Sequence, residues 1–386
     1  MGIGIQADVQ ARRLAALGAS AAEIDELLAY NDNAFDLSAL EPGMTLPLPD
    51  EPFVAVWEAW AEEARERGAF AVLREKLPQL RFPIRAGISE TEAYRAATRK
   101  GVPPEEATGL ELEHPERVEL VIYQSPAGRI PLLIARGRAE FVALLQALAR
   151  RNEPWPVPDA QGALMVSGYN NWERIRELRK RWESLPAEER ETSSWSDEFA
   201  RITPQKELYQ DRFILLSDGP YSAVPAADLG LDEARWRELS LVIRRDHECA
   251  HYFTRRLFGS MRNNLLDELI ADDAGMVAAV GRFRADWFLR FLGLAPGGYR
   301  PGGRLEIYRG DPPLSDGAFQ VLQALIARAA GNLERFDYGR EGSRGVVERA
   351  LRIAVLASLR LEELGSPEAG LLLGRKVEEL CGRLGW

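Results

Sequence analysis

Apolar positions along the chain recur with two different periods. In FVAVWEAWAEEARERGAFAVLREKL, Phe53, Val56, Trp57 and Trp60 sit at helical spacing, which predicts one helix over 53–77. Ser89 opens a Ser-x-x-Glu capping pattern and Gly101 closes it, framing a short helix. RVELVIYQSPAGRIPLLIARG differs: two β-branched runs flank Ser-Pro-Ala-Gly, which predicts a hairpin over 117–137. A helix is expected next, from Ala139 to about Arg150. The proline-rich NEPWPVPDAQGA then reads equally as a domain boundary and as a rigid loop inside one domain. Taken as a boundary, it divides the chain into 1–155, a mixed α/β accessory domain, and 156–386, a mainly helical domain.

In the second half, NNWERIRELRKRWESL predicts a helix whose basic residues form a solvated face around Trp172 and Trp182. DRFILLSDGPYSAVP reads as a strand running into a Gly-Pro turn. LDEARWRELSLVIRRDHECAHYFTRRLFG reads as one long helix closed by Gly259. NLLDELIADDAGMVAAVG is a second helix, and three more helical segments follow Leu314. The expected class is α+β, mostly helical, with a small sheet. No fixed-period repeat or low-complexity tract stands out.

Composition narrows the function. Apolar residues make up 46% and charged residues 28%, as in a globular protein with a buried core. The formal charge of −10 argues against a nucleic-acid binder or a partner for anionic membranes. The start, MGIGIQADVQARRLAALG, lacks the basic and apolar regions of a secretory signal, and Gln6 stands where a myristoylation motif wants Ser or Thr. The longest apolar runs are too short and too interrupted by arginine to span a bilayer. Two cysteines, Cys249 and Cys381, make no disulfide framework, so a reducing cytoplasm is the expected location.

Candidate chemistry concentrates in DHECAHYFTRRLFGSMRNNLLDELIADDAG, residues 246–275. Two of the chain's three histidines, His247 and His251, lie four residues apart and so project from one helix face, along with Trp236, Leu239 and Ile243. Imidazoles at that spacing can ligate one zinc ion through bonds of roughly 2.0–2.1 Å. Glu248, rotated by about 100° on the helix, sits beside the metal, where a general base for a zinc-activated water belongs. The remaining histidine, His114, reads as an exposed loop residue, so a carboxylate is expected as third ligand. Glu268 and Asp272, one turn apart, supply the ligand and a hydrogen-bond acceptor for the distal nitrogen of a ligating histidine. Sixteen residues lie between His251 and Glu268, enough to finish one helix, turn at 259–263 and return antiparallel. Cys249 points away from the histidine face and reads as buried packing.

These two motifs, His247-Glu248-Cys249-Ala250-His251 and Glu268-Leu269-Ile270-Ala271-Asp272, resemble those of the gluzincin zinc metallopeptidases, the thermolysin-like arrangement. The resemblance covers about 26 residues and implies a zincin-like catalytic region with His247, His251 and Glu268 on zinc, Glu248 activating water and Asp272 orienting a histidine. Arg245, two before the first histidine, and the short connection to Glu268 depart from that pattern. More loosely, the whole chain resembles an uncharacterised bacterial protein family, through FPIRAGISETEAYRAATRKG and DELIAD.

The expected function is hydrolysis of peptide bonds in a peptide or protein substrate, with zinc as cofactor. An oxyanion needs a donor besides the metal. Tyr221, on the strand-turn FILLSDGPYS, is the first candidate, because that strand reads as a substrate-binding edge. Tyr252, Tyr299, Tyr308, Tyr338 and several arginines stand behind it. The alternative is a zinc-binding regulatory or interaction protein without proteolytic activity.

Overall fold

The computed structural model describes residues 2–104, 109–261, 264–295, 298–300, 303–337 and 345–385. Tyr338 and the expected turn residues Arg262 and Asn263 lie outside them. The described residues are mostly helical, with a small mixed sheet, so the fold is α+β. Among them, no helix is long and apolar enough to cross a membrane.

The chain forms two compact units. One comprises residues 1–49, 125–127 and 220–386; the other comprises 50–124 and 128–219. The division expected at residue 155 therefore falls inside the second unit. Sheet pairing is the reason, because strands from both sides of the proline-rich segment share a partner.

That sheet holds β1 (Val118–Ser125), β2 (Gly128–Ala135), β3 (Ala163–Asn170) and β4 (Gln210–Ser217), in the order β1-β2-β4-β3. β1 and β2 are the expected hairpin. β2 runs parallel to β4, with Leu132 opposite Ile214, and β3 runs antiparallel to β4, with Val166 opposite Phe213. The parallel pair is nearly continuously buried, as its apolar runs require. β4 is thus an interior strand with both edges paired. It offers no free edge to a substrate, and that expectation is corrected.

Trp57, Trp60, Phe141 and Phe213 share the core of this unit. The helix expected over 53–77 is two helices, Val54–Arg67 and Ala69–Lys76, joined at Gly68 with φ 84°. Glycine alone takes that left-handed conformation without a steric cost, so the break was written inside an apolar pattern that runs through it. The next helix, Glu92–Lys100, ends at Gly101 as expected, but its cap is Thr91, whose hydroxyl accepts from Tyr94 N; Ser89 lies in the preceding turn. Asn171 caps the Trp172–Ser184 helix, where Arg174 is buried against Asp211 at 2.6 Å.

In the first unit, two antiparallel helices carry the candidate chemistry. The histidine helix, Glu233–Phe258, is capped by Asp232 and ends at Gly259. The acidic helix, Leu265–Val280, is capped by Asn264 and is buried from Leu265 to Val277. A Cβ on Gly275 would stand 2.5 Å from the carbonyl oxygen of Ile243. Glycine there lets the two backbones approach closely, one turn from Asp272 and one turn from His247. The helix Val346–Ala357 grips both: Arg349 reaches Asp246 at 2.7 Å, and Arg352 makes a two-point contact with Asp273 at 2.5 and 2.6 Å.

Candidate metal centre

A buried helix bearing Asp267, Glu268, Asp272 and Asp273 must find partners for four carboxylates, since an unpaired buried charge is very costly. Asp273 is matched by Arg352. The other three face the histidine helix. His247 and His251 are each only 7% exposed, on the buried stripe with Trp236, Leu239 and Ile243 that their spacing predicted.

His247, His251 and Glu268 converge on one point. The two Nε2 atoms stand 3.1 Å apart, Glu268 Oε1 is 3.5 Å from His251 Nε2, and Oε2 is 3.7 Å from His247 Nε2. A tetrahedral zinc with bonds of roughly 2.0–2.1 Å separates its ligand atoms by about 3.4 Å. Two imidazole nitrogens and one carboxylate oxygen are also a donor set that zinc favours, so these residues fit the ion.

Behind His247, its Nδ1 lies 2.8 Å from Asp272 Oδ1 and 2.9 Å from the Tyr221 hydroxyl, which also donates to Asp272 at 2.5 Å. Asp272 thus contacts the distal nitrogen of His247, the position from which the motif implied it would orient the ring. Behind His251, Asp267 Oδ1 stands 3.5 Å from Nδ1, an ion-pair distance but too long for a hydrogen bond. Each histidine thus has a carboxylate at its back. Asp267 was missed by sequence reasoning, although its place beside Glu268 was the available signal.

Tyr221 does not suit the oxyanion role expected of it. Its hydroxyl occupies the Nδ1 side of His247, opposite the nitrogen that faces Glu268, and the residue is buried. The turn that carries it is stitched to the histidine helix by Tyr221 N donating to Ser240 Oγ at 3.0 Å and Trp236 Nε1 donating to Val224 O at 2.8 Å. Ser222 and Ala223 in this turn take φ of 51° and 55°, a left-handed strain typical of functional segments. Of the other tyrosines, Tyr252 is buried beneath Arg256, Tyr299 donates to Glu306, and Tyr308 is buried with its ring 5.9 Å from the Arg304 guanidinium.

Arg304 is the other residue that sequence reasoning failed to single out. It donates to Asp272 Oδ2 at 2.6 Å, Glu268 Oε2 at 3.1 Å, Ser222 Oγ at 2.9 Å and Tyr221 Oη at 3.2 Å. It lies far along the chain from both motifs, in an unremarkable segment, Arg304–Tyr308, so no local signal marked it.

Asp267, Glu268 and Asp272 crowd three carboxyl groups around the two histidines, and Arg304 pairs with Glu268 and Asp272. The His251 imidazole responds to them. Burial opposes its charged form, yet Asp267 and Glu268 outweigh burial and hold the His251 pKa well above its ordinary value. Burial likewise works against charge on Glu268, but His251, His247 and Arg304 hold its carboxyl well below the usual range. A metal and a proton would compete for the same carboxylate-lined site.

The side chain of Glu248, half-buried on the neighbouring face, makes no hydrogen bond or ion pair with another described residue. Cys249 is fully buried, as expected, and His114 is half-exposed with its Nδ1 3.2 Å from Glu116.

A family model described as "Family of unknown function (DUF7005)" matches residues 12–368. No curated protein matches, and no solved structure matches.

Proposed function

Since that match spans most of the chain, the protein belongs to this family of unknown function, and we propose from its site that it is a zinc-dependent metallopeptidase of the gluzincin kind. The observation that carries the reading is the convergence of His247, His251 and Glu268 at zinc spacing beside an unpaired Glu248. Its substrate would be a peptide or protein, and the free cysteines Cys249 and Cys381 agree with action in the cytoplasm.

A zinc ion held by these donors would polarise the scissile carbonyl and lower the pKa of water toward about 7. Glu248 takes a proton from the attacking water as its oxygen bonds to the carbonyl carbon. It then delivers that proton to the amine as the carbon–nitrogen bond breaks. Asp272 and Tyr221 fix the ring of His247, and Arg304 holds Glu268 and Asp272 in place while neutralising part of their charge.

The test is a peptide-library digest by the zinc-loaded protein and by Glu248→Gln. Cleavage should fall by about 100-fold or more in the variant, with zinc content unchanged. A zinc-loaded wild type that cuts nothing, or a variant that cuts equally well, refutes the peptidase reading. His247→Ala should lose zinc altogether. One observation favours the second reading, a zinc-binding regulatory or interaction protein: the tyrosine expected to stabilise the oxyanion is engaged behind His247. Under that reading the metal is retained and the library stays intact.

A further inference from the structure

An early stretch of the first unit meets the candidate metal centre where the histidine helix ends and the acidic helix begins. The helix Ala21–Tyr30 starts in a capping box between Ser20 and Glu23, and Glu26 Oε2 accepts from Ser315 N at 2.8 Å. Tyr30 thereby comes to lie against Gly310, where an added Cβ would stand 3.4 Å from the ring. Residues 30–36, YNDNAFD, then run across several helix ends. Asn31 Nδ2 donates to Oε1 of the buried Glu362 at 3.2 Å, and Asn33 Nδ2 donates to Ala357 O at 2.8 Å. Asp36 N donates to Phe258 O at 3.1 Å, and the Phe35 and Phe258 rings are 5.7 Å apart.

These contacts meet needs that helix ends create, since the first N–H groups and the last carbonyls of a helix have no partner within it. Phe258 is the last residue of the histidine helix, and Asp36 N serves its carbonyl. In the acidic helix, Asn264 Oδ1 serves Asp267 N, and the Tyr30 hydroxyl accepts from Leu265 N at 3.2 Å. The same hydroxyl donates to Tyr308 O at 2.8 Å. Leu265 stands three residues before Glu268 on the acidic helix. Tyr308 stands four residues after Arg304, whose guanidinium donates to Glu268 and Asp272. One hydroxyl group thus joins the helical turn that presents Glu268 to the segment that presents Arg304.

We propose that Tyr30 is a positioning residue of the zinc site, its hydroxyl setting Glu268 relative to Arg304 from outside both motifs. The inference rests on the reading of His247, His251 and Glu268 as metal ligands. Without the hydroxyl, Leu265 N–H and Tyr308 C=O lose a shared partner, and the first turn of the acidic helix is less firmly held against Arg304. Zinc bonds tolerate little displacement of a ligand atom, so a looser Glu268 binds the ion less well. Coupling of this kind is reciprocal: zinc tightens the docking of Tyr30 by the factor with which Tyr30 tightens zinc.

The test compares the full-length wild type, Tyr30→Phe and Asn332→Ala in two measurements. Zinc affinity is read by competition with a chromophoric chelator, and ligand geometry by the visible absorption of the cobalt(II)-loaded protein. Asn332→Ala removes donations to Leu364 O and Ser366 O, both at 2.8 Å, elsewhere in the same unit. It is the control for a general loss of stability. Tyr30→Phe should bind zinc about tenfold more weakly and alter the cobalt spectrum, while Asn332→Ala should match the wild type in both. Wild-type affinity and spectrum in Tyr30→Phe overturn the proposal, and so do equal effects in the two variants. A wild type that takes up no zinc overturns the metal reading and this inference with it. If Tyr30→Phe does not fold, hydrogen exchange in the wild type decides. Added zinc should slow exchange in the helix Ala21–Tyr30 by about tenfold, and unchanged exchange there overturns the proposal.

Discussion

Asp272 sits at the meeting point of His247, Tyr221 and Arg304, each within hydrogen-bond distance of its carboxylate. Asp272→Asn keeps the shape and removes the charge. Zinc affinity, measured by competition with a chromophoric chelator, should weaken about 10–100-fold. Glu362 allows a stability prediction with a definite sign. Its folded-state carboxyl is raised from the ordinary 4.5 to about 7, mainly by burial. The folded chain therefore holds a proton that the unfolded chain releases at lower pH. That contribution is complete below about pH 4.5 and is lost as pH rises through 7. Urea denaturation at pH 6 and pH 8 should show the wild type losing stability over this interval and Glu362→Gln losing less. Equal slopes for the two proteins would contradict it.

At the scale of elements, the centre depends on how closely two helices approach. Gly275 and Ile243 set that distance, since a methyl group at 275 would lie 2.5 Å from the Ile243 carbonyl oxygen. Gly275→Ala should cost about 1–3 kcal/mol in urea denaturation and also weaken zinc binding, because the strain falls one turn from the His247–Asp272 contact. A loss of stability with zinc affinity intact would place the close approach outside the site's requirements. Elements also show where pattern reading reaches its limit. The two long helices follow from apolar periodicity and from caps at Asp232, Gly259 and Asn264. By contrast, the apolar spacing that unites residues 53–77 is interrupted by one glycine, and the cap expected at Ser89 falls to Thr91 two residues later. Several residues near a helix start can compete to cap it, and the surrounding chain selects among them.

For the whole molecule, the candidate metal ligands all belong to the first unit, while the second has its own core around Trp57, Trp60 and Phe213. A ligand held at about 100 times its dissociation constant stabilises what it binds by about 2.7 kcal/mol. Removing zinc with a chelator should therefore speed hydrogen exchange in the histidine and acidic helices and leave β2 and β4 unchanged. Equal loss of protection in β2 and β4 would contradict a metal held by the first unit. By itself the sequence determined the α+β class, the pair of site helices, and the face shared by His247 and His251, because helical periodicity and four-residue spacing are local properties that survive without a partner. Only the tertiary structure decided that β4 is an interior strand, that Tyr221 stands behind His247, and that Arg304 and Asp267 complete the charge around the site. Those facts depend on which distant segments are packed together. The gathering of three carboxyl groups and Arg304 around the two histidines appears only once such segments are brought into one buried volume.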